Sequence, residues 1–94
     1  METVHLSPAP PPADFRAAQT LADREAEARL EMPMLLAWYD RDRDYESPRN
    51  ASECHEASAI PGYVDYGFHH GATLRVIIEG GRFDFFYLDA AAHL

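Results

Sequence analysis

Cysteine and histidine are the side chains of this sequence whose types best suit metal binding. Two adjacent pairs, Cys54-His55 and His69-His70, supply a thiol and imidazoles, which zinc and copper accept as ligands. The spacing argues against a site, because Cys-x-x-Cys and His-x-x-x-His patterns are missing and neighbours on a strand point to opposite faces. A metal-binding accessory protein that uses Cys54, His55, His69 and His70 is therefore the alternative hypothesis, and no cofactor is expected.

Cys54 is also a candidate nucleophile. A short helix is predicted over residues 50–59, and a place in its first turn would lower the pKa of the thiol. His69 or His70 could then accept the proton. Glu53 and Glu56 oppose this, because negative neighbours disfavour a thiolate. We therefore predict that the protein is not an enzyme, and an activity based on Cys54 stays open as an alternative.

Acidic residues dominate the charge of the chain. There are 16 Asp and Glu against 8 basic residues, all of them Arg, which gives a net charge of −8. This balance argues against direct binding to a nucleic-acid backbone or an anionic membrane, and it favours a basic protein surface as partner. A calcium loop beginning at Asp40 would need Gly at its sixth place and Glu at its twelfth, where Tyr45 and Ala51 stand.

These charges predict a small acidic, non-enzymatic binding protein that acts by protein–protein contact. The narrower hypothesis is an inhibitor that occupies a basic, nucleic-acid-binding surface of its target, as anti-CRISPR and anti-restriction proteins do. That hypothesis is an analogy of size and charge. The predicted contact residues are the acids around residues 40–56 together with one aromatic: Asp40, Asp42, Asp44, Tyr45, Glu46, Glu53 and Glu56.

The sequence predicts a cytoplasmic location. The first residues lack the basic and apolar regions of a secretory signal. The longest uninterrupted apolar stretch covers residues 34–39, far short of the roughly 20 residues that span a bilayer. The lone Cys54 cannot form an internal disulfide, so the fold needs no oxidising compartment.

The N-terminal half is predicted to contain a flexible arm, a helix and a strand. Residues 1–12 are rich in Pro and are predicted to be a flexible arm, with a single domain over residues 13–94. Helix formers fill residues 13–32 up to Pro33. A narrow apolar stripe suited to close packing on a sheet is given by Phe15, Ala18, Ala22, Ala26 and Leu30. The short apolar run over residues 34–39 predicts a buried strand.

The C-terminal half is predicted to be mainly β-structure. Aromatic residues over 63–68 predict a strand, and Gly80-Gly81 predicts a hairpin between residues 73–79 and 82–89. Counting outward from that turn pairs Glu79 with Arg82. It also places a set of apolar side chains on one face of the hairpin: Leu74, Val76, Ile78, Phe83, Phe85 and Tyr87. The predicted fold class is α+β, with one N-terminal helix packed on an antiparallel sheet of about four strands.

The second face of the predicted hairpin also needs a cover. Ile77, Phe86 and Leu88 alternate on that face. Either the rest of the chain or a second copy of the protein must shield them from water. A homodimer through Ile77, Phe86 and Leu88 is therefore one expectation.

Overall fold

In the part of the chain that the structure describes, a five-stranded mixed sheet carries one α-helix on each face. The computed structural model describes residues 1–49 and 61–94. Within them the elements follow one another as β1 (Glu2–Leu6), α1 (Phe15–Arg29), β2 (Pro33–Asp40), β3 (Tyr45–Ser47), α2 (Gly62–His69), β4 (Leu74–Ile78) and β5 (Phe83–Asp89). The sheet order is β1-β4-β5-β2-β3, with β1 parallel to β4 and the other pairs antiparallel. The predicted α+β class is confirmed.

The β4–β5 hairpin has the register that the sequence predicted. Its cross-strand pairs include Leu74 with Tyr87, Val76 with Phe85 and Ile78 with Phe83. These side chains are almost completely buried and form the centre of the core beneath α1. The turn is built by Gly80 at φ 63° and Gly81 at φ 111°, a backbone region that glycine enters at little cost.

Helix α1 packs closely on the sheet because its contact stripe is made of alanine. Ala18, Ala22 and Ala26 have no exposed surface. The helix is shorter than predicted at both ends. Asp14 is its N-cap, accepting a hydrogen bond from the backbone N–H of Ala17 at 2.9 Å. Beyond the helix, the backbone N–H of Met32 donates to Asp89 Oδ1 at 3.0 Å, which turns the chain toward β2.

The prediction of a flexible arm over residues 1–12 is wrong for Glu2–Leu6, which form strand β1. The strand lies beside β4, and the backbone N–H of Glu2 donates to the carbonyl of Thr73 at 3.0 Å. Alternation places Val4 and Leu6 against the core. The sequence-based interpretation extended the influence of the prolines too far, since the first of them is Pro8.

The prediction of a strand over residues 63–68 is also wrong, because Gly62–His69 form helix α2. Aromatic residues have strand propensity, but packing overrides it here. A Cβ on Gly67 would lie 2.7 Å from Cδ2 of Phe86, so glycine allows the helix to approach β5. The predicted short helix over residues 50–59 lies outside the described residues.

Helix α2 covers the second face of the hairpin. Phe86 has no exposed surface and Leu88 is 8% exposed, while Ile77 is half-buried. The sequence left two possible covers for this face, namely the rest of the chain or a second copy of the protein. Phe86 and Leu88 are covered by the chain itself. These two side chains are therefore not an open dimer surface. In the described part of the chain, no helix is long and apolar enough to cross a membrane.

Candidate functional site

The turn between β2 and β3 carries most of the predicted contact residues. Asp40 and Tyr45 are cross-strand partners that close the turn. The backbone N–H of Asp44 donates to the carbonyl of Arg41 at 3.2 Å, and that of Arg41 donates to the carbonyl of Arg82 at 2.9 Å. These bonds hold the turn against the start of β5. We define the turn surface as residues 41–49.

Asp40 lies inside the protein and not on this surface. It is 1% exposed, because alternation along β2 turns it to the α1 face, opposite Phe83. Its Oδ2 accepts from Arg43 Nε at 2.6 Å and its Oδ1 from the backbone N–H of Asp42 at 3.0 Å. Asp40 is therefore poorly placed for the contact with a partner that the sequence predicted, because its carboxylate braces the turn.

Asp42 is paired with Arg82. The guanidinium Nη2 lies 2.6 Å from Oδ2 of Asp42, and Nε donates to the same carboxylate at 3.0 Å. This hydrogen bonding lowers the pKa of Asp42 below its ordinary value. Arg82 Nη1 also donates to Glu79 Oε1 at 2.7 Å, which confirms the predicted pair, and to the carbonyl of Pro12 at 2.9 Å. One arginine thus joins the turn, the hairpin and the segment before α1.

Asp44 and Glu46 are held by neutral donors instead. The hydroxyl of Tyr39 donates to Asp44 Oδ1 at 2.8 Å, and the backbone N–H of Tyr63 donates to Glu46 Oε2 at 2.9 Å. The first bond is the main cause of a raised pKa of Tyr39. Neither of these donors carries a charge, so these bonds do not compensate the negative charge of Asp44 and Glu46. Asp40 and Asp42, by contrast, each pair with an arginine.

Aromatic rings and arginines surround Tyr45. Tyr45 is 38% exposed, and its ring stacks on Trp38 with centroids 5.6 Å apart. The Arg49 guanidinium lies 4.9 Å from the Tyr45 centroid, and that of Arg43 lies 5.7 Å from it. Sequence analysis named Tyr45 but missed these arginines, although the alternation of Arg43 with the acids was an available signal. The turn surface is therefore mixed in charge, with an aromatic centre.

An open cleft of about 330 Å³ adjoins this centre. It lies between the start of α1 and the turn. Its lining combines carboxylates, guanidinium groups and one aromatic ring: Asp14, Phe15, Arg16, Asp40, Asp42 and Arg43. A partner side chain that enters the cleft would meet both signs of charge.

A second polar cluster, which sequence analysis missed, lies under α2. Asp84 is 3% exposed and accepts from Arg75 Nη2 at 2.6 Å and from the Tyr63 hydroxyl at 3.0 Å. Burial, followed by the Asp84 carboxylate, raises the pKa of Tyr63. The pairing with Arg75 compensates the charge of Asp84, which is shielded from water.

The histidines of the alternative hypothesis already have partners on α2. His69 Nδ1 lies 3.1 Å from Asp65 Oδ1, and the His70 ring stacks on Tyr66 at 3.8 Å. Cys54 and His55 lie outside the described residues, as do Glu53 and Glu56. Across residues 1–49 and 61–94, no group of three or more Cys, His, Asp and Glu could hold a metal ion.

Comparison with known proteins identifies the family and the fold. The model of a family described as a domain of unknown function, DUF5619, matches residues 1–87, and the chain belongs to this family. The crystal structure of the novel protein AF1514 from Archeoglobus fulgidus DSM 4304 is similar, with a TM-score of 0.73 and 20% identity over 93% of this chain and 92% of that chain. This likeness shows a shared fold. No curated protein matches the chain.

Proposed function

We propose that this protein is a small, non-enzymatic, cytoplasmic binding protein that acts by protein–protein contact, and that the turn surface is its contact site. The observation that carries the proposal is the exposed Tyr45, whose ring stacks on Trp38 and lies close to the guanidinium of Arg49. Tyr, Trp and Arg are the residue types that most often dominate binding energy at protein interfaces. A side chain that is already ordered loses little entropy when a partner binds.

The charge of the turn surface favours a partner of mixed charge. Asp44 and Glu46 supply negative charge, but they are flanked in the sequence by exposed arginines: Arg41, Arg43 and Arg49. Those arginines would repel a groove made to hold phosphates. The proposal therefore keeps protein–protein contact and a role for Asp44 and Glu46, and it gives less weight to inhibition by nucleic-acid mimicry.

A capture experiment tests the proposal. Immobilised wild-type protein and Tyr45→Ala are each exposed to extract of the native host, and captured proteins are quantified by mass spectrometry. We expect a stoichiometric partner whose capture falls about tenfold or more with Tyr45→Ala, the loss typical of an aromatic hot spot. Phe68→Ala is the matched control, because Phe68 is an aromatic residue that is 51% exposed on α2.

Equal capture by wild type and Tyr45→Ala would contradict the proposal. The double variant Asp44→Asn with Glu46→Gln then separates the contribution of negative charge to the affinity from that of the aromatic ring. It removes the charge and keeps side chains of the same shape that can still accept hydrogen bonds. Charge reversal at Asp40 or Asp42 would be a poor test, because it would break the pairs with Arg43 and Arg82 that hold the turn.

A further inference from the structure

Strand β1 has one open edge. It is the first strand in the sheet order and pairs only with β4 among the described residues. The backbone N–H of Glu2 points to β4, where it donates to Thr73. Since successive residues of a strand alternate, the backbone groups of Thr3 and His5 point away from β4. Both residues are exposed.

Among the described residues, this edge has few of the usual protections against strand pairing. Edge strands are commonly very short, bulged, charged or interrupted by Pro. At the opposite edge, β3 is only 3 residues long and Pro48 follows it directly. By contrast, β1 is 5 residues long, regular in its pairing with β4 and free of Pro, with Glu2 as its one acidic residue. An extended backbone could add to it without any rearrangement.

We propose that a second copy of the chain adds to this edge, with the two β1 strands antiparallel about a two-fold axis at Val4. In this register Thr3 faces His5 of the second copy, and His5 faces Thr3. These are the residues whose backbone groups point outward, so they exchange donors and acceptors in hydrogen-bonded pairs. Val4 then faces its own symmetry mate across a close, apolar contact.

The same register brings opposite charges together. Glu2 faces Leu6 of the second copy, which lines a cavity of about 420 Å³ with Ser7, Pro8, Leu21, Arg24 and Glu25. Glu2 is half-exposed and bonds to Arg29 through Oε2 alone among the described contacts. Its Oε1 can therefore meet the exposed Arg24 of the second copy, while Glu25 of that cavity is neutralised by its own Arg29.

Sedimentation equilibrium over a range of concentrations tests the dimer. The contact is small, so we expect a weak dimer with a dissociation constant of about 10–100 µM. Amide hydrogen exchange at Thr3 and His5 should slow as the concentration rises. A chain that stays monomeric at about 1 mM would overturn the proposal.

His5→Pro is the decisive variant, because it removes an outward N–H and keeps the bonds to β4. We expect at least a tenfold weaker dimer, whereas His5→Ala, which keeps the N–H, should dimerise like wild type. Circular dichroism checks that both variants fold. Equal dimerisation of the Pro and Ala variants would overturn the proposal.

A charge exchange tests the register without altering the backbone. Glu2→Arg and Arg24→Glu should each weaken the dimer about fivefold, because each places like charges together at two symmetric positions. The double variant restores the opposite charges and should recover the wild-type affinity. A double variant as weak as the single ones would overturn the antiparallel register about Val4. None of these residues belongs to the turn surface, so failure here leaves the proposed function intact.

Discussion

The two faces of the sheet are stabilised in different ways. Under α1, alanines of the helix lie on Leu74, Val76 and Phe85, all without exposed surface. Under α2, the buried layer includes the ion pair of Asp84 with Arg75 and the hydroxyl of Tyr63. Stability on the first face comes mainly from dense apolar packing, with Asp40 buried near its end beside its partner Arg43. On the second face it depends on every polar group keeping its partner.

This difference indicates what each face contributes. An apolar face tolerates exchange of one hydrophobic residue for another of similar volume. A buried ion pair adds little net stability, but it penalises any arrangement that separates its members. We infer that the α1 face supplies most of the folding energy, while the α2 face specifies where α2 docks on the sheet.

The largest expected effect is on the α1 face. Phe85→Ala removes a fully buried ring that stacks on Phe15 at 5.5 Å. We expect the free energy of unfolding to fall by about 3–5 kcal/mol, through lost burial and the cavity left behind. Urea unfolding followed by circular dichroism measures it. Phe85→Leu should cost clearly less, and equal losses for the two variants would show that this face does not depend on packing volume.

A slightly smaller effect is expected from the α2 face. Asp84→Ala leaves Arg75 and the Tyr63 hydroxyl without their shared acceptor, and we expect a loss of about 2–4 kcal/mol. The partial exposure of Arg75, at 25% of its side chain, keeps the loss below that of a completely buried charge. Arg75→Met combined with Asp84→Ala should cost less than the two single losses added together. Simple additivity in the same urea assay would contradict an energetic coupling between Arg75 and Asp84.

The smallest expected effect is a loss of folding stability at alkaline pH. It arises from one tyrosine on each face of the sheet. Burial first, and then the neighbouring carboxylate, raises the pKa of Tyr63 beside Asp84 and of Tyr87 beside Asp23. The folded state therefore holds these protons more tightly than the unfolded state, in which the pKa is near the ordinary 10.0. Stability should be constant below about pH 9 and should fall above it, by about 1 kcal/mol per tyrosine at pH 11.

Tyr63→Phe and Tyr87→Phe separate the two contributions. Each variant should lose part of the pH dependence of the urea midpoint between about pH 9 and 11, the range around the ordinary tyrosine pKa. An unchanged slope in both variants would assign the alkaline loss to other groups. If only Tyr63→Phe reduces the pH dependence of the urea midpoint, the loss of stability in alkali arises on the α2 face alone.

Local pattern was sufficient for the hairpin and for most of α1. Gly80-Gly81 defines where β4 and β5 turn, and strict alternation then specifies which side chains face the core. The alanine stripe likewise placed α1 on a sheet. These predictions succeeded because turn geometry and side-chain periodicity act over a few residues, and the sequence contains both directly.

The candidate site was less predictable, because its contacts join residues that lie far apart in the sequence. The sequence identified the acids over residues 40–46 but not their pairing, because Arg82 lies 40 positions beyond Asp42. The period of two along β2 buries Asp40 on the α1 face, while Glu46 binds the backbone of α2. A run of charges that looks continuous in sequence is therefore divided between two faces.

The amino-acid sequence by itself determined the charge balance, the α+β class, the hairpin register and the contact stripe of α1. Only the tertiary structure decided that Glu2–Leu6 join the sheet and that Gly62–His69 form a helix. It also decided which acidic side chains near the surface pair with an arginine and which do not. Each of these outcomes depends on groups distant in the chain, since β1 needs β4, α2 needs the space above Phe86, and Asp42 needs Arg82. Short-range preferences cannot specify such contacts, because their free energy arises only when the folded chain brings the partners together.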